Sequence, residues 1–565
     1  MLIVIANWLF ILVISGAWGF AAYRLLRRWT DPSAPEASLT TTVLLGLMSL
    51  TTLCNLCSLW VPIGKEVCLL ITACVPFLIY LNRHSWPMFI KRKWTVYRVN
   101  PRITIIYFLL LVIIAFAKTV GVSEIEDEAA YHLPLIRWIE NYPVVPGIAN
   151  IENRLGINPS IYLTNALFGL AWLYKGGLYD LNSFLFVLIS GSFLSGLGPI
   201  LRQEKDRLLS GIVQVAAFVF LFRIYLTSMD ADFLNIYGVL YLLVFIIRQM
   251  EQSRFGHPDW QTVWSLLFFC FLVTNKFSAA LLAPVACWLL YELIRRNQLR
   301  TVLVSIALGS LIVLSWVARN YYISGFAVCP VYFLDFFNVD WKLPPDIIRG
   351  QYHYVSEFAK TEVVRPFYAY VAYEPALKDW LPGWFQLIWA QLLGKLVIAG
   401  LALSLALWGF SAFSQKRKAL SAYKLLAGLL FLAILAWFLR IPALRFGWPW
   451  LLVFICISVY VHFEIWLKER IRLVGLSLSV LLGLSLLRST IASVNEGVDL
   501  KNRWLYPAPV TYTATYTTQY FNQIKIQVAP DDFCRDAVPP CFPKHYHPGL
   551  RARGKTVKEG FRIGY

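Results

Sequence analysis

Residues 103–119 read ITIIYFLLLVIIAFAKT, and residues 121–140 read GVSEIEDEAAYHLPLIRWIE. The first stretch is apolar until Lys118. As a helix it is about 26 Å long at 1.5 Å per residue, close to the thickness of a bilayer's hydrocarbon core. Before it, 82–102 carries Arg83, Lys91, Arg92, Lys93, Arg98 and Arg102 and no acid; after it come Glu124, Glu126, Asp127 and Glu128. A span with basic residues on one flank sits with that flank in the cytoplasm. This single span therefore places the acid-rich loop outside and sets the orientation of its neighbours.

The whole chain has the same character. Of 565 residues, 58% are apolar and 15% charged, and the mean hydropathy is +0.60. Soluble domains carry about 25% charged residues. A soluble globular protein, a disordered chain and a fibrous repeat are excluded. Lys+Arg 51 against Asp+Glu 32 gives +19. In a membrane protein that excess reflects cytoplasmic loops and is not a nucleic-acid footprint.

Apolar segments fall at 2–22, 40–61, 67–81, 103–119, 160–174, 181–199, 208–225, 232–249, 261–275, 277–294, 302–318, 384–410, 420–438, 448–466 and 472–488. Basic loops at 82–102, Arg295-Arg296 with Arg300, Lys416-Arg417-Lys418 and Lys468 to Arg472 mark the inside. Loops 120–158, 226–231 and 319–383 and the tail after 489 then lie outside. The parity fails by one, and it is restored if 160–174, which opens with Asn158-Pro159-Ser160, does not span. Fusion of two later segments into one broken helix would restore it equally. The expected fold is an all-α polytopic bundle of about 14 transmembrane helices at 1–489, with both termini outside. A small extracytoplasmic cap follows at 490–565.

Eight of the ten cysteines lie in or beside apolar runs, including Cys54-x-x-Cys57, and read as small apolar residues. Cys534 and Cys541 sit in the polar tail, where an extracytoplasmic location predicts a disulfide. The tail's Trp504, Tyr512, Tyr516 and Tyr520 argue for packing over disorder.

The chemistry-bearing residues gather in the outside loops. Glu126, Asp127 and Glu128 stand at a membrane mouth; a merely solvated loop would look the same, but a carboxylate there can also serve as a general base. Residues 133–139 have the pattern of an interface helix, with Leu135, Ile136, Trp138 and Ile139 toward the membrane and Arg137 and Glu140 toward water. Asp230-x-Asp232 forms a second acid pair on the same side, a weak pattern for a divalent cation such as Mg or Mn. Arg319, Arg440 and Arg445 end spans on the outside, against the inside bias. Such arginines are often snorkelling anchors, yet their forks also bind phosphate.

This constellation resembles the GT-C superfamily of polytopic membrane glycosyltransferases. The resemblance is carried by Tyr131-His132-Leu133-Pro134 with Trp138, Val145-Pro146-Gly147, Asn153-Arg154, Arg319-Asn320-Tyr321 with Ser324-Gly325, Arg445-Phe446 and Pro540-Cys541. It runs from about residue 120 onward and leaves three earlier spans as additions to a core. It implies transfer of a sugar, with inversion, from a polyprenyl-phosphate-linked donor to a lipid, glycan or protein acceptor. It implies Asp127 as the base, with Glu126 or Glu128 as alternatives. It implies substrate-binding roles for Tyr131, His132, Arg137, Arg154, Arg319, Asn320, Tyr321, Arg440 and Arg445. A metal is dispensable in much of the family, and Asp230 and Asp232 leave it open. The expected site is the extracytoplasmic face of a bacterial inner membrane.

No Gly-rich phosphate loop is present, so a nucleotide-sugar donor has no fingerprint here. A transporter or flippase for lipid-linked saccharides should carry its ionisable residues near mid-span. Here they cluster at span ends. A non-catalytic subunit of a surface-polysaccharide assembly machine is the third reading.

Overall fold

The computed structural model describes residues 2–31, 34–91, 101–119, 126–174, 176–221, 226, 228–361, 375–411, 421–495 and 514–564. Glu124, Arg92, Lys93, Arg98, Lys416 to Lys418, Trp504 and Tyr512 lie outside the described residues. Among the described residues, eleven helices are long and apolar enough to cross a membrane: Leu2–Trp29, Leu39–Cys57, Arg102–Thr119, Leu181–Leu201, Ala231–Glu251, Phe277–Arg295, Leu299–Ser324, Leu392–Gly409, Ser421–Arg440, Leu444–Glu469 and Ile471–Ala492. The chain is a multi-pass, mainly helical membrane protein. Lys65–Leu81, Leu208–Leu221 and Trp260–Asn275 are shorter, at 17, 14 and 16 residues.

The 160–174 segment contains one helix, Ile161–Phe168, of eight residues, all buried. At about 12 Å it is too short to cross a bilayer. Polar contacts hold it inside the bundle. Thr164 Oγ1 lies 2.5 Å from Thr51 Oγ1, and the Ile161 amide donates to Asn275 Oδ1 at 2.8 Å.

The helices before Asn100 pack into the bundle with the later ones. Asn55 Nδ2 donates to Ser160 Oγ at 3.2 Å, Asn7 Nδ2 donates to Asp180 Oδ1 at 2.6 Å, and Thr41 Oγ1 lies 2.9 Å from the Tyr241 hydroxyl. The first two helices meet at glycines. A Cβ on Gly46 would run into the Ser15 carbonyl, and one on Gly19 into the Thr42 carbonyl. Such small-residue contacts let helix backbones approach where lipid gives no hydrophobic drive to pack.

The two ends of the bundle differ. At one end Arg24 Nη1 donates to Asn82 Oδ1 at 2.9 Å, Arg254 bridges Asp31 and Asp259, and Arg296 Nη2 reaches the Phe255 carbonyl. The segments about 126–160, 226–232, 320–345 and 440–445 meet at the other end, together with the cap.

The 133–139 expectation needs correction. The helix Leu133–Asn141 forms, but Leu135, Ile136, Trp138 and Ile139 are buried within the protein and do not lie open to lipid. The helix packs against the Ile161–Phe168 helix, and Trp138 also meets Tyr142 and Phe561 of the cap.

The tail folds as strands. β1 (Thr517–Phe521) and β2 (Ile524–Val528) form an antiparallel hairpin in the register Thr517↔Val528. Its turn residues Asn522 and Gln523 both have positive φ, as a tight hairpin turn needs. β3 (Cys541–Phe542) adds parallel to β2, and β4 (Leu550–Ala552) pairs with β5 (Phe561–Ile563). Cys534 and Cys541 are disulfide-bonded. The remaining eight cysteines are free.

Gly46→Leu should break the first helix pair, because the new side chain meets backbone that cannot yield. The expected cost is about 1–3 kcal/mol. Thermal unfolding of the purified protein in detergent checks this, and an unchanged midpoint would refute the close contact.

Candidate functional site

Two acid segments, far apart in sequence, come together through Glu128. Its side chain is fully buried. Glu128 Oε1 accepts the Ser228 hydroxyl at 2.5 Å and the Met229 amide at 2.6 Å, and it lies 3.4 Å from His132 Nδ1. Buried carboxylates persist only when hydrogen-bonded in this way. Glu128 is thereby committed to holding the 228–232 segment against the 126–132 turn. Asp127, its neighbour, is half-buried, and Glu126 is exposed.

The 226–232 segment is shaped by its own caps. Asp230 is the N-cap of Ala231–Glu251, and its Oδ1 accepts the Asp232 amide at 2.8 Å. That is the usual way to satisfy a first-turn amide. Asp232, 6% exposed, pairs with Lys276 and, at 3.7 Å, with Arg445 Nε. Lys276 Nζ lies 4.0 Å from the centre of the Phe446 ring, and the Arg445 guanidinium carbon lies 4.9 Å from it. Two cations and one aromatic face thus converge beside two acids.

Burial disfavours the Lys276 ammonium and pushes its pKa down to about 7; Arg445 adds to this, while Asp230 and Asp127 oppose it. Burial also works against the His132 cation. The bond to Glu128 and the charges of Glu128, Asp230 and Asp127 outweigh that and hold its pKa above the usual value. Tyr131 is held well above its ordinary pKa by burial first and then by Asp127 and Asp230, so its hydroxyl stays a neutral donor. The Arg154 guanidinium lies 5.8 Å from the Tyr131 ring centre and pairs with Glu152 at 2.8 Å.

The expected residues therefore divide. Asp127, Glu128, Tyr131, His132, Arg154, Asp230, Asp232 and Arg445 form one cluster. Arg137 turns instead to Glu140, at 3.0 Å, and lies over Tyr179, whose hydroxyl also bonds Glu140. The Arg440 side chain is exposed, and its carbonyl accepts Ser356 Oγ.

Arg319 is buried, its Nε donating to Asn158 Oδ1 at 3.0 Å. Asn158 in turn donates to Asn320, which donates to the Ala327 carbonyl. Arg319 also lines a narrow apolar pocket with Trp138, Tyr142 and Ile323. Tyr321 packs among Tyr322, Phe337 and Trp341. These three residues brace the end of their helix.

Lys276 was not among the residues expected from the sequence. Its signal was present: it is the lone charge separating the apolar runs 261–275 and 277–294. Asp230 and Asp232 do not suit a divalent cation. Asp232 is committed to two cations that would repel one, and among the described residues no three His, Cys, Asp or Glu side chains converge on a metal position.

Glu128→Ala would leave the Ser228 hydroxyl and the Met229 amide without an acceptor. The expected cost is about 1–3 kcal/mol per orphaned donor, read as a lowered unfolding midpoint. Exposed Glu126→Ala should change stability by less than about 0.5 kcal/mol. Equal midpoints for the two variants would overturn the clamp.

No curated protein and no solved structure matches the chain. A family model described as a domain of unknown function (DUF8201) matches residues 1–452, a range that takes in the helices before Asn100 and every residue of the cluster. By that match over 452 of 565 residues, the chain belongs to the DUF8201 family.

Proposed function

We propose that this protein is a membrane glycosyltransferase that moves a sugar from a polyprenyl-phosphate-linked donor to a hydroxyl on a lipid, glycan or protein acceptor. One observation carries the reading. Half-buried Asp127, which pairs with no cation among the described residues, lies in the same cluster as Lys276 and Arg445, the two cations that share Asp232.

The roles follow from charge. Asp127 takes the proton of the acceptor hydroxyl as its oxygen bonds the anomeric carbon. The bond from that carbon to the phosphate oxygen breaks on the opposite face, inverting the centre. The lipid phosphate leaves with added negative charge, which Lys276 and Arg445 receive. Asp232 holds the two cations in place while the site is empty. Tyr131, a neutral donor beside Asp127, is placed to bond the sugar or the acceptor. No step is routed through a metal.

In this reading the acid end lies outside a bacterial inner membrane. The basic loops at the other end support that orientation. So does the Cys534–Cys541 disulfide, because such bonds persist in oxidising compartments. Fourteen spans result if the three shorter helices join the eleven long ones. A flippase is less well supported, since the acids and cations of this cluster lie at span ends and not near mid-span.

Asp127→Asn should reduce transfer of radiolabelled sugar from a polyprenyl-phosphate donor by about 10²–10⁴-fold, with donor binding retained. Full transfer by this variant, and by Glu126→Gln and Glu128→Gln, would overturn the proposal. A pH series tests the cations. Lys276 is charged below about pH 7 and neutral above it. Affinity for a polyprenyl phosphate, measured by calorimetry in detergent, should therefore fall as pH rises through 7. Lys276→Arg, always charged, should flatten that dependence, and a profile unaltered by the substitution would remove Lys276 from the phosphate site.

A further inference from the structure

The turn that carries the acids lacks one of its own hydrogen bonds. Residues Glu128–His132 form a π-type turn in which the Leu133 amide donates to the Glu128 carbonyl, five residues back. In the same register the Ala129 carbonyl would accept from residue 134, which is proline and has no N–H. Ala129 is 8% exposed, and an unpaired buried carbonyl is costly.

The missing donor comes from the cap, more than four hundred residues away in sequence. The Arg535 amide donates to the Ala129 carbonyl at 3.0 Å. Arg535 adopts a φ of +49°, uncommon for a side chain of this size. Its guanidinium is gripped by both carboxylate oxygens of Asp531 and by the Phe533 carbonyl. Its neighbour Cys534 is bonded to Cys541, the first residue of β3, which ties this loop to the cap's sheet. A second bond between cap and bundle lies farther along the 126–158 segment, where the Phe561 amide donates to the Pro146 carbonyl at 2.9 Å.

We propose that Arg535 is a positioning residue. Its main-chain amide, presented by the Cys534–Cys541 loop, supplies the bond that Pro134 withholds and so fixes the turn that sets Asp127 and Glu128. This deepens the glycosyltransferase reading and rests on it only for what the turn is used for. The cap then acts on the acid segment itself and is not a bystander to the bundle.

Hydrogen exchange of the full-length protein in detergent, followed by mass spectrometry, tests the bond without any transfer assay. Failure of the glycosyltransferase reading would leave this result standing. Arg535→Pro removes the donor. Amides in 128–135 should then exchange about fivefold faster, the change expected for a bond of about 1 kcal/mol. Amides of β1 and β2 report whether the cap stays folded.

The decisive arm adds Pro134→Ala to Arg535→Pro. An alanine at 134 has the amide that the Ala129 carbonyl lacks, so protection of 128–135 should return. It should return even if the cap itself has opened, because the new donor lies within the turn. Unchanged exchange in Arg535→Pro would overturn the proposal. So would failure of the double variant to restore protection.

Discussion

The arrangement at the acid end depends on one buried carboxylate. Glu128 Oε1 gathers the Ser228 hydroxyl, the Met229 amide and the His132 ring around one atom. A buried carboxyl group in that position is satisfied by the hydroxyl and the amide that donate to it. Through it, a loop following the Arg102–Thr119 helix is locked to a loop preceding the Ala231–Glu251 helix. Asp127 and Asp232 are placed relative to one another by that lock.

Around the lock, the acids are matched by nearby cations. Asp232 is offset by Lys276 and Arg445, Glu140 by Arg137 and Tyr179, and Glu152 by Arg154. Asp127 stands outside these pairs among the described residues. In the transfer proposed above, this carboxylate takes the proton and the two cations take the phosphate.

The cap adds a second level of control over the same segment. Within residues 126–158, Pro134, Pro143 and Pro146 each lack a backbone donor. The amides of Arg535 and Phe561 reach the carbonyls of Ala129 and Pro146. Two carbonyls of this segment thereby gain donors from the cap.

Much of this was legible from residue order. Apolar length and the basic flank of 82–102 determined that the chain crosses a membrane repeatedly and which loops share a side, because both are local sums over side-chain transfer energies. The short reach of 160–174 and the Cys534–Cys541 pairing were also readable, from parity and from compartment. What the sequence could not determine was which charges meet. Arg137, Arg440 and Arg445 look alike as arginines at an interface, yet only Arg445 finds Asp232. The helix 133–141 has an amphipathic pattern that fits lipid and protein equally, and the nearby Ile161–Phe168 helix decided for protein. Lys276 read as a break between two apolar runs until folding set it against Asp232. Pairings of this kind depend on distances of a few ångströms between segments separated by tens to hundreds of residues, and only the tertiary structure sets those distances.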